Sequence, residues 1–373
     1  MTKAPKGISG LQAALAHDWL TGMRGGERVL ELLCGLFPDA PIFTLIYAPE
    51  SVTDPIRRHQ VTESWLSRLP LARRNHRYYL PLFPWAIESL RPPAADLTIS
   101  LSHCVAKGIR PAPGSKHLCY CFTPMRYAWV FEEEYFGRNP LKRAALAPLM
   151  ERIRAWDRRS AERVDRFVAI SRHVAERIRR FYGRDSDVVY PPVRTDYWTP
   201  GPAGAPAPGS YDLVVSALVP YKRVDLAVRA CTRMGRSLKV AGTGPEAARL
   251  RTLAGPRVEF LGWQSDAALL ELYRGCRALL FPGEEDFGIV PLEAQACGRP
   301  VIAYGRGGAL ETVVEGRTGV FFRDQTEDGL LAAMEEFPAR KWDPDVARAQ
   351  ALRFSQERFV ESLSEVILRC LGR

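Results

Sequence analysis

At 373 residues the chain is too long for one compact core and points to two domains. A hydrophobic share of 46% with 25% charged residues excludes a disordered chain, and no apolar run reaches the length of about 18 residues that a membrane-spanning helix needs. The net charge of +10 comes from one half: residues 1–200 hold 30 Lys and Arg against 20 Asp and Glu, while residues 201–373 hold 22 of each. A surface basic on one half suits an anionic partner there (acidic lipid headgroups, a phosphorylated acceptor or nucleic acid), the alternative being a charge that serves solubility alone. Residues 1–10 are polar and hold no signal-peptide core, so a cytoplasmic protein is expected, peripheral on the inner membrane surface. The eight Cys residues are scattered without zinc spacing and read as reduced core thiols, with Cys119 and Cys121 inside a strand.

In chain order, Gln12–His17 reads as a strand that leaves through Asp18-Trp19-Leu20. A glycine loop (Gly22, Gly25, Gly26) follows, then an amphipathic helix, Glu27–Leu36. Strand, glycine loop and helix resemble a nucleotide-binding turn without the full spacing. Pro41–Tyr47 is the next strand. Leu66–Leu90 is apolar and aromatic, broken by Pro70, Pro81 and Pro84, and basic at Arg73, Arg74 and Arg77. It is either a helix packed on the sheet or a segment facing an acceptor or a membrane. Asp96–Ser102 delivers His103 at its carboxyl end, and Lys116–Phe122 leads to Arg126. Ligands of open α/β sheets gather at strand carboxyl ends, which makes His103 and Arg126 site candidates. Asn139–Arg163 is a long Arg-rich helix. Val164–Ile170, Ser171–Tyr182 and Asp187–Tyr190 read as strand, helix and strand.

The Pro- and Gly-rich run Gly201–Ser210 has no periodicity and reads as a linker. A second α/β unit follows. Its strands are Asp212–Leu218, Ser237–Ala241, Arg257–Leu261, Leu279–Phe281, Pro300–Ala303 and Val320–Phe322. Lys222 and Arg223 sit in the loop after the first strand, Gly244 after the second, and Gly262 and Trp263 after the third. After the fourth come Glu284, Glu285, Asp286, Phe287 and Gly288, then a helix with Pro291 and Glu293 in its first turn. Residues 343–371 read as helical. The domains are expected at 1–193 with about 350–373, and at 211–349, joined by 194–210. Each is a parallel, doubly wound sheet, and a cleft between them is the expected site.

The spacing Glu285-x7-Glu293, within EDFGIVPLEAQACGRPVIAYGRGGALETVVEGRTG, resembles the signature of family 4 retaining glycosyltransferases, which have the GT-B fold. The likeness extends to Leu218–Asp225, Ala241–Glu246 and Phe260–Gly262. In the first half it covers Gly25–Val29, Ser102–Gly108 and Cys119–Trp129. These first-half segments are similar to bacterial GDP-mannose-dependent O-antigen and exopolysaccharide mannosyltransferases.

The resemblance implies two Rossmann-like domains facing across a cleft, with the C-terminal helix crossing back to the first. It implies a nucleotide-sugar donor and an acceptor carried on a polyprenyl diphosphate or polysaccharide. Glu285, His103 and Lys222 are the implied catalytic residues. Lys222, with Arg223, would hold the leaving pyrophosphate, helped by the backbone N–H groups of Gly288, Ile289 and Val290 beside Phe287. Glu293 would hold the ribose, Glu285 and His103 the donor sugar, and Gly262 with Trp263 the base. Gly25, Gly26 and Gly244 would let backbone approach the donor; His17 and Arg126 would face the acceptor. Many family members carry Arg where this chain has Ala217, and Arg223 is the candidate substitute. No metal is implied: Asp185-Ser186-Asp187 and Asp343-Pro344-Asp345 read as a strand lead-in and a helix cap. No nucleic-acid motif occurs. The alternatives are a UDP-sugar donor, a sugar-nucleotide epimerase of the same build, and a non-catalytic protein binding nucleotide sugars or membranes.

Overall fold

The computed structural model describes residue 5 and residues 7–129, 140–202, 209 and 211–373, with backbone alone at 140–143. Residues 203–208 and 210 of the expected linker, and Asn139 at the expected helix start, lie outside the described residues. The chain divides into two units: unit 1 is Met1–Tyr190 with Phe359–Arg373, and unit 2 is Pro191–Arg358.

Unit 1 is built on seven strands: β1 (Ala13–His17), β2 (Ile42–Thr44), β3 (Val61–Glu63), β4 (Leu97–Ser102), β5 (Lys116–Cys121), β6 (Arg166–Ala169) and β7 (Ser186–Val188). All pair in parallel, in the order β3-β2-β1-β4-β5-β6-β7. A parallel sheet covered on both faces buries every residue of its inner strands. That is why β1 and β4 are buried throughout, β4 with Thr98, Ser100 and Ser102 alternating with its apolar residues. Strand β3 (Val-Thr-Glu) escapes sequence reading because it is a short, part-exposed edge. The chain's last residues belong to this unit through Phe359, whose ring meets Tyr120 edge-on at 5.7 Å, and Arg369, 3.0 Å from Asp187.

Unit 2 has six parallel strands: β8 (Tyr211–Val215), β9 (Ser237–Ala241), β10 (Val258–Gly262), β11 (Leu279–Phe281), β12 (Val301–Tyr304) and β13 (Gly319–Phe322). Their order is β10-β9-β8-β11-β12-β13. The helix Glu327–Glu336 was not anticipated from the sequence; Thr326 caps it by accepting from Gly329 N–H, and Leu330 and Met334 enter the core. The expected single helical stretch over 343–371 is two helices, Pro344–Leu352 and Gln356–Cys370. The break has a physical cause. Phe354 C=O accepts from Val193 N–H and Ser355 bridges to Val193, which demands extended backbone, and Ser355 Oγ then accepts from Arg358 N–H to restart the helix.

In both units the order of strands reverses beside the first strand, between β1 and β4 and between β8 and β11. The loops leaving these strands diverge there and open a crevice at their carboxyl ends.

Candidate functional site

In unit 2, Val219 leaves β8 and the turn Pro220–Lys222 follows, closed by Lys222 N–H donating to Val219 C=O at 3.1 Å. The turn directs the Lys222 ammonium onto the Glu285 carboxylate, which sits in the loop after β11. Both side chains are partly open, at 16% and 21% exposure. Glu285 is fixed through its backbone: its C=O accepts from Gly308 N–H at 2.8 Å, and it bridges to Gly307. The loop after β12 thereby holds the loop after β11.

Gly288 follows at φ +105°, a conformation that L side chains rarely adopt, and turns the chain into the helix Ile289–Ala296. The helix is led by Gly288, which brings no side chain to its start, and its first turn holds no acid, so Glu293 lies one turn further in than the sequence suggested. Pro291 lies in the first turn, where its missing N–H costs nothing. Glu293 Oε2 accepts from Tyr273 O–H at 2.7 Å. Tyr273, on the helix Asp266–Gly275, is fully buried and meets Trp198 edge-on at 5.4 Å. Its phenol is pushed well above the usual range by burial, reinforced by the Glu293 charge. Sequence reading did not find Tyr273, whose link to Glu293 spans 20 residues.

The other expected donor residues fall out differently. Arg223 takes a left-handed φ of +49°, and its guanidinium lies on Asp225 at 3.2 Å and on Gln325 C=O at 3.5 Å. It is occupied within its own loop. Phe287 is buried, its ring 5.7 Å from that of Phe354. Gly244 lies under the β8 exit, where Leu218 N–H donates to Thr243 C=O. Gly262 ends β10 at φ +69°, and Trp263 beyond it is 76% exposed.

In unit 1 the β1 and β4 exits meet on a carboxylate. Asp18 is wholly buried. Its Oδ2 accepts from the backbone N–H of His103 (2.7 Å) and Cys104 (3.0 Å), and its Oδ1 from Val105 (2.6 Å) and Ala106 (2.7 Å). The His103 ring adds a fifth contact, Nδ1 to Oδ2 at 2.8 Å. Burial alone would raise the Asp18 pKa; the His103 charge and these hydrogen bonds overcome it and hold the group well below the carboxylate range. With Nδ1 donating, Nε2 is the remaining position of an imidazole that is 31% exposed. Asp18 was read from the sequence only as a strand exit; its backbone partners lie 85 to 88 residues away.

His17 is buried beside this pair, its ring 6.1 Å from that of His103. Its Nδ1 donates to Trp19 C=O at 3.0 Å, its Nε2 has no hydrogen-bond partner among the described residues, and burial lowers its pKa. It is a neutral, enclosed group rather than an exposed acceptor contact. Gly25 and Gly26 start the helix Gly25–Leu36. A side chain at Gly26 would stand 3.2 Å from the Phe122 ring and 3.3 Å from His17 Nε2, so glycine lets the helix start close on the histidine. Arg126 opens the short helix Arg126–Trp129 after β5. Among the described residues no cluster of His, Cys, Asp and Glu has the form of a metal site, and no helix is long and apolar enough to cross a membrane.

Comparison with known proteins places these observations. Residues 205–349 match the family model "Glycosyl transferases group 1". A D-inositol 3-phosphate glycosyltransferase of Mycobacteroides abscessus is 31% identical over 204 residues, 48% of this chain and 46% of the relative. One from Mycobacterium bovis is 31% identical over 240 residues, 57% of this chain and 50% of its own length. The chain thus spans about half the length of the curated relatives it matches. Solved structures cover nearly all of it. Sucrose-phosphate synthase from Thermosynechococcus elongatus has a TM-score of 0.72 at 18% identity, covering 97% of this chain and 99% of that one. An Anabaena protein in complex with UDP has 0.69 at 16% identity, covering 95% and 100%. A lipopolysaccharide outer core galactosyltransferase has 0.66 at 17%, covering 96% and 99%. The C-terminal portion is therefore similar to glycosyl transferases group 1, and the chain as a whole has the α/β GT-B fold, with two doubly wound parallel sheets.

Proposed function

We propose that this chain is a retaining glycosyltransferase that moves a hexose from a nucleoside diphosphate sugar to a hydroxyl acceptor. The observation that carries the reading is the Lys222–Glu285 pair beside the glycine-led helix start at Gly288, at the strand-order reversal of unit 2. Breaking a C1–O bond to a diphosphate builds oxocarbenium character on the sugar and negative charge on the phosphate. Lys222 and the N–H groups of residues 288–290 supply positive charge for the phosphate. Glu285 supplies hydrogen-bond acceptance toward the sugar hydroxyls near C1. Glu293, fixed by Tyr273, supplies a carboxylate for the ribose. On unit 1, His103 is the group for a sugar hydroxyl. In front-face transfer the departing phosphate itself takes the acceptor proton, so no residue need serve as a covalent nucleophile, and the reading requires no metal.

The donor in this reading is GDP-mannose and the acceptor a lipid-linked glycan, on the strength of the N-terminal motifs. The names of two compared proteins supply the competing arms: UDP for the Anabaena structure, and D-inositol 3-phosphate for the curated relatives. The test is a screen of purified protein with GDP-mannose, UDP-glucose and UDP-N-acetylglucosamine against a polyprenyl-diphosphate glycan and D-inositol 3-phosphate. Mass spectrometry follows the product and NMR its anomeric configuration. An α-mannosyl product from GDP-mannose is expected. Transfer from a UDP-sugar alone removes the mannose assignment; an altered sugar nucleotide without acceptor points to an epimerase; no turnover with any donor removes the enzyme reading.

A further inference from the structure

Neither cluster uses the segment between β3 and β4. Residues 64–87 contain Arg68, Arg73, Arg74 and Arg77 and no Asp or Glu. The segment folds into four short helical turns, Trp65–Arg68, Ala72–Asn75, His76–Leu82 and Phe83–Ser89, which pack on one another. Its inner side is anchored: Leu66, Leu80, Phe83 and Ile87 enter the hydrophobic core of unit 1. Its outer side presents Trp65, Leu71, Tyr78 and Trp85 at 39%, 65%, 84% and 67% exposure, four of the seven large apolar side chains exposed among the described residues. All four arginines are exposed as well. Arg73 touches Glu63 at 3.4 Å, and Arg68, Arg74 and Arg77 form no ion pair among the described residues. Leu71 is held at φ +55°, a left-handed conformation unusual for a non-glycine residue, so strained backbone keeps a leucine in water.

Arginine and aromatic side chains are enriched at protein interfaces as well as at membrane surfaces, and what favours a uniformly anionic partner here is the absence of any Asp or Glu over residues 64–87. Here arginines alternate with aromatics along the segment, so no apolar patch is free of charge. A headgroup layer accommodates both: Trp and Tyr rings settle at the interface, and guanidinium groups pair with phosphates. We propose that residues 64–87 are a docking surface for an anionic phospholipid bilayer, with Leu71, Tyr78 and Trp85 entering the headgroup layer and the four arginines on lipid phosphates. The proposal does not rest on the glycosyltransferase reading, and its test involves no donor.

The full chain is sedimented with phosphatidylcholine vesicles with and without about 30% phosphatidylglycerol, at low and high salt. Binding to the anionic vesicles only, falling steeply with salt, is expected. Each surface arginine contributes roughly fivefold to partitioning, so R74E/R77E should weaken binding by at least about twentyfold. Y78S/W85S should weaken it at both salt concentrations. Because these side chains are exposed, thermal midpoints should not move. Hydrogen exchange on the unaltered protein needs no variant and should show protection of 64–87 on anionic vesicles. Absence of vesicle binding, binding that neither double variant weakens, or protection confined to other segments overturns the proposal. So does binding of an oligonucleotide through the same arginines without vesicle binding. Nucleotide affinity should be unchanged in both variants, which separates failure here from failure of the donor reading.

Discussion

Tyr273→Phe tests the assignment of Glu293 to the ribose. The substitution deletes one oxygen, keeps the ring that meets Trp198, and leaves no orphaned polar group in the core. A hydrogen bond to a charged group contributes about 1.5–3 kcal/mol. The carboxylate is half-buried and can rehydrate, so the stability cost should lie near the lower figure. Binding is affected less, because the bond is lost from free and bound protein alike. What remains is the cost of re-fixing one carboxylate rotamer, about 0.5–1.5 kcal/mol, or roughly 2- to 13-fold in affinity. Burial keeps the phenol protonated at any working pH, so the effect should not vary between pH 6 and 9. Calorimetric titration with GDP and UDP measures it, beside Glu293→Ala, where a loss of about 10- to 100-fold is expected from removing the ribose contact itself. If Tyr273→Phe lowers stability yet both variants bind nucleotide like the parent, the Tyr273–Glu293 bond only staples two helices, and Glu293 is not a ligand group.

Lys222→Ala should reduce kcat/KM by about 100- to 1,000-fold, the usual cost of one preorganised donor to a leaving group, with Lys222→Arg recovering part of it in steady-state assays. Arg223→Ala should change kcat/KM by less than about threefold, since its guanidinium is spent on Asp225; a loss as large as that of Lys222→Ala would show that the arginine swings onto the donor. Asp18→Asn should lower stability by about 3–5 kcal/mol in urea titration, because an amide turns N–H groups toward the backbone donors that the carboxylate accepted. The pH dependence of unfolding should follow the buried histidines. Burial lowers His117 and His76 to about 4, so below pH 6.5 the unfolded chain takes up protons that the folded chain does not, and stability falls as the pH drops from 6.5 toward 4. For fully buried His117 this is about 3 kcal/mol, and His117→Gln should flatten the thermal-midpoint profile over that range.

The inner strands were legible because complete burial in a parallel sheet leaves apolar runs such as Leu279–Phe281 and Val301–Tyr304. The exits of those strands were legible for the same reason, since an apolar run ends where the chain reaches the ligand side. Illegible were features that depend on a partner far along the chain. Strand β3 exists by pairing with β2, the break before Gln356 by pairing with Val193, and Tyr273 matters through Glu293. Arg223 shows the converse: its type suited a phosphate, but a left-handed residue followed by Asp225 folds the side chain back on its own helix. The turn at Thr326-Glu327-Asp328 carried a readable cap signal, a hydroxyl followed by two acids in a first turn.

The two strand-order reversals are the same architectural feature with opposite electrostatics, and that difference divides the chemistry between them. At β4, the backbone N–H groups of four successive residues, 103–106, converge as they would on a bound phosphate. Asp18 already fills that nest, with two N–H groups on each oxygen and the imidazole of His103 against it. An exogenous anion there would have to displace a buried carboxylate held below its ordinary pKa. Unit 1 therefore spends its anion-binding backbone on orienting His103, and what it offers a ligand is one imidazole edge. At β11 the corresponding helix is led by Gly288 and its first turn holds no acid. Glu285, one of the carboxylates before it, is paired with Lys222, which brings a positive charge to this loop. In the proposed reading, diphosphate charge falls to this reversal of unit 2, and sugar or acceptor hydroxyls to the one at β4. Removing the internal anion should make this visible: Asp18→Ala would empty the nest, and inorganic phosphate, without effect on the parent's unit 1, should restore much of the variant's lost thermal midpoint. If phosphate stabilises the parent and the variant equally, the four N–H groups do not act as an anion site and the contrast between the two reversals fails.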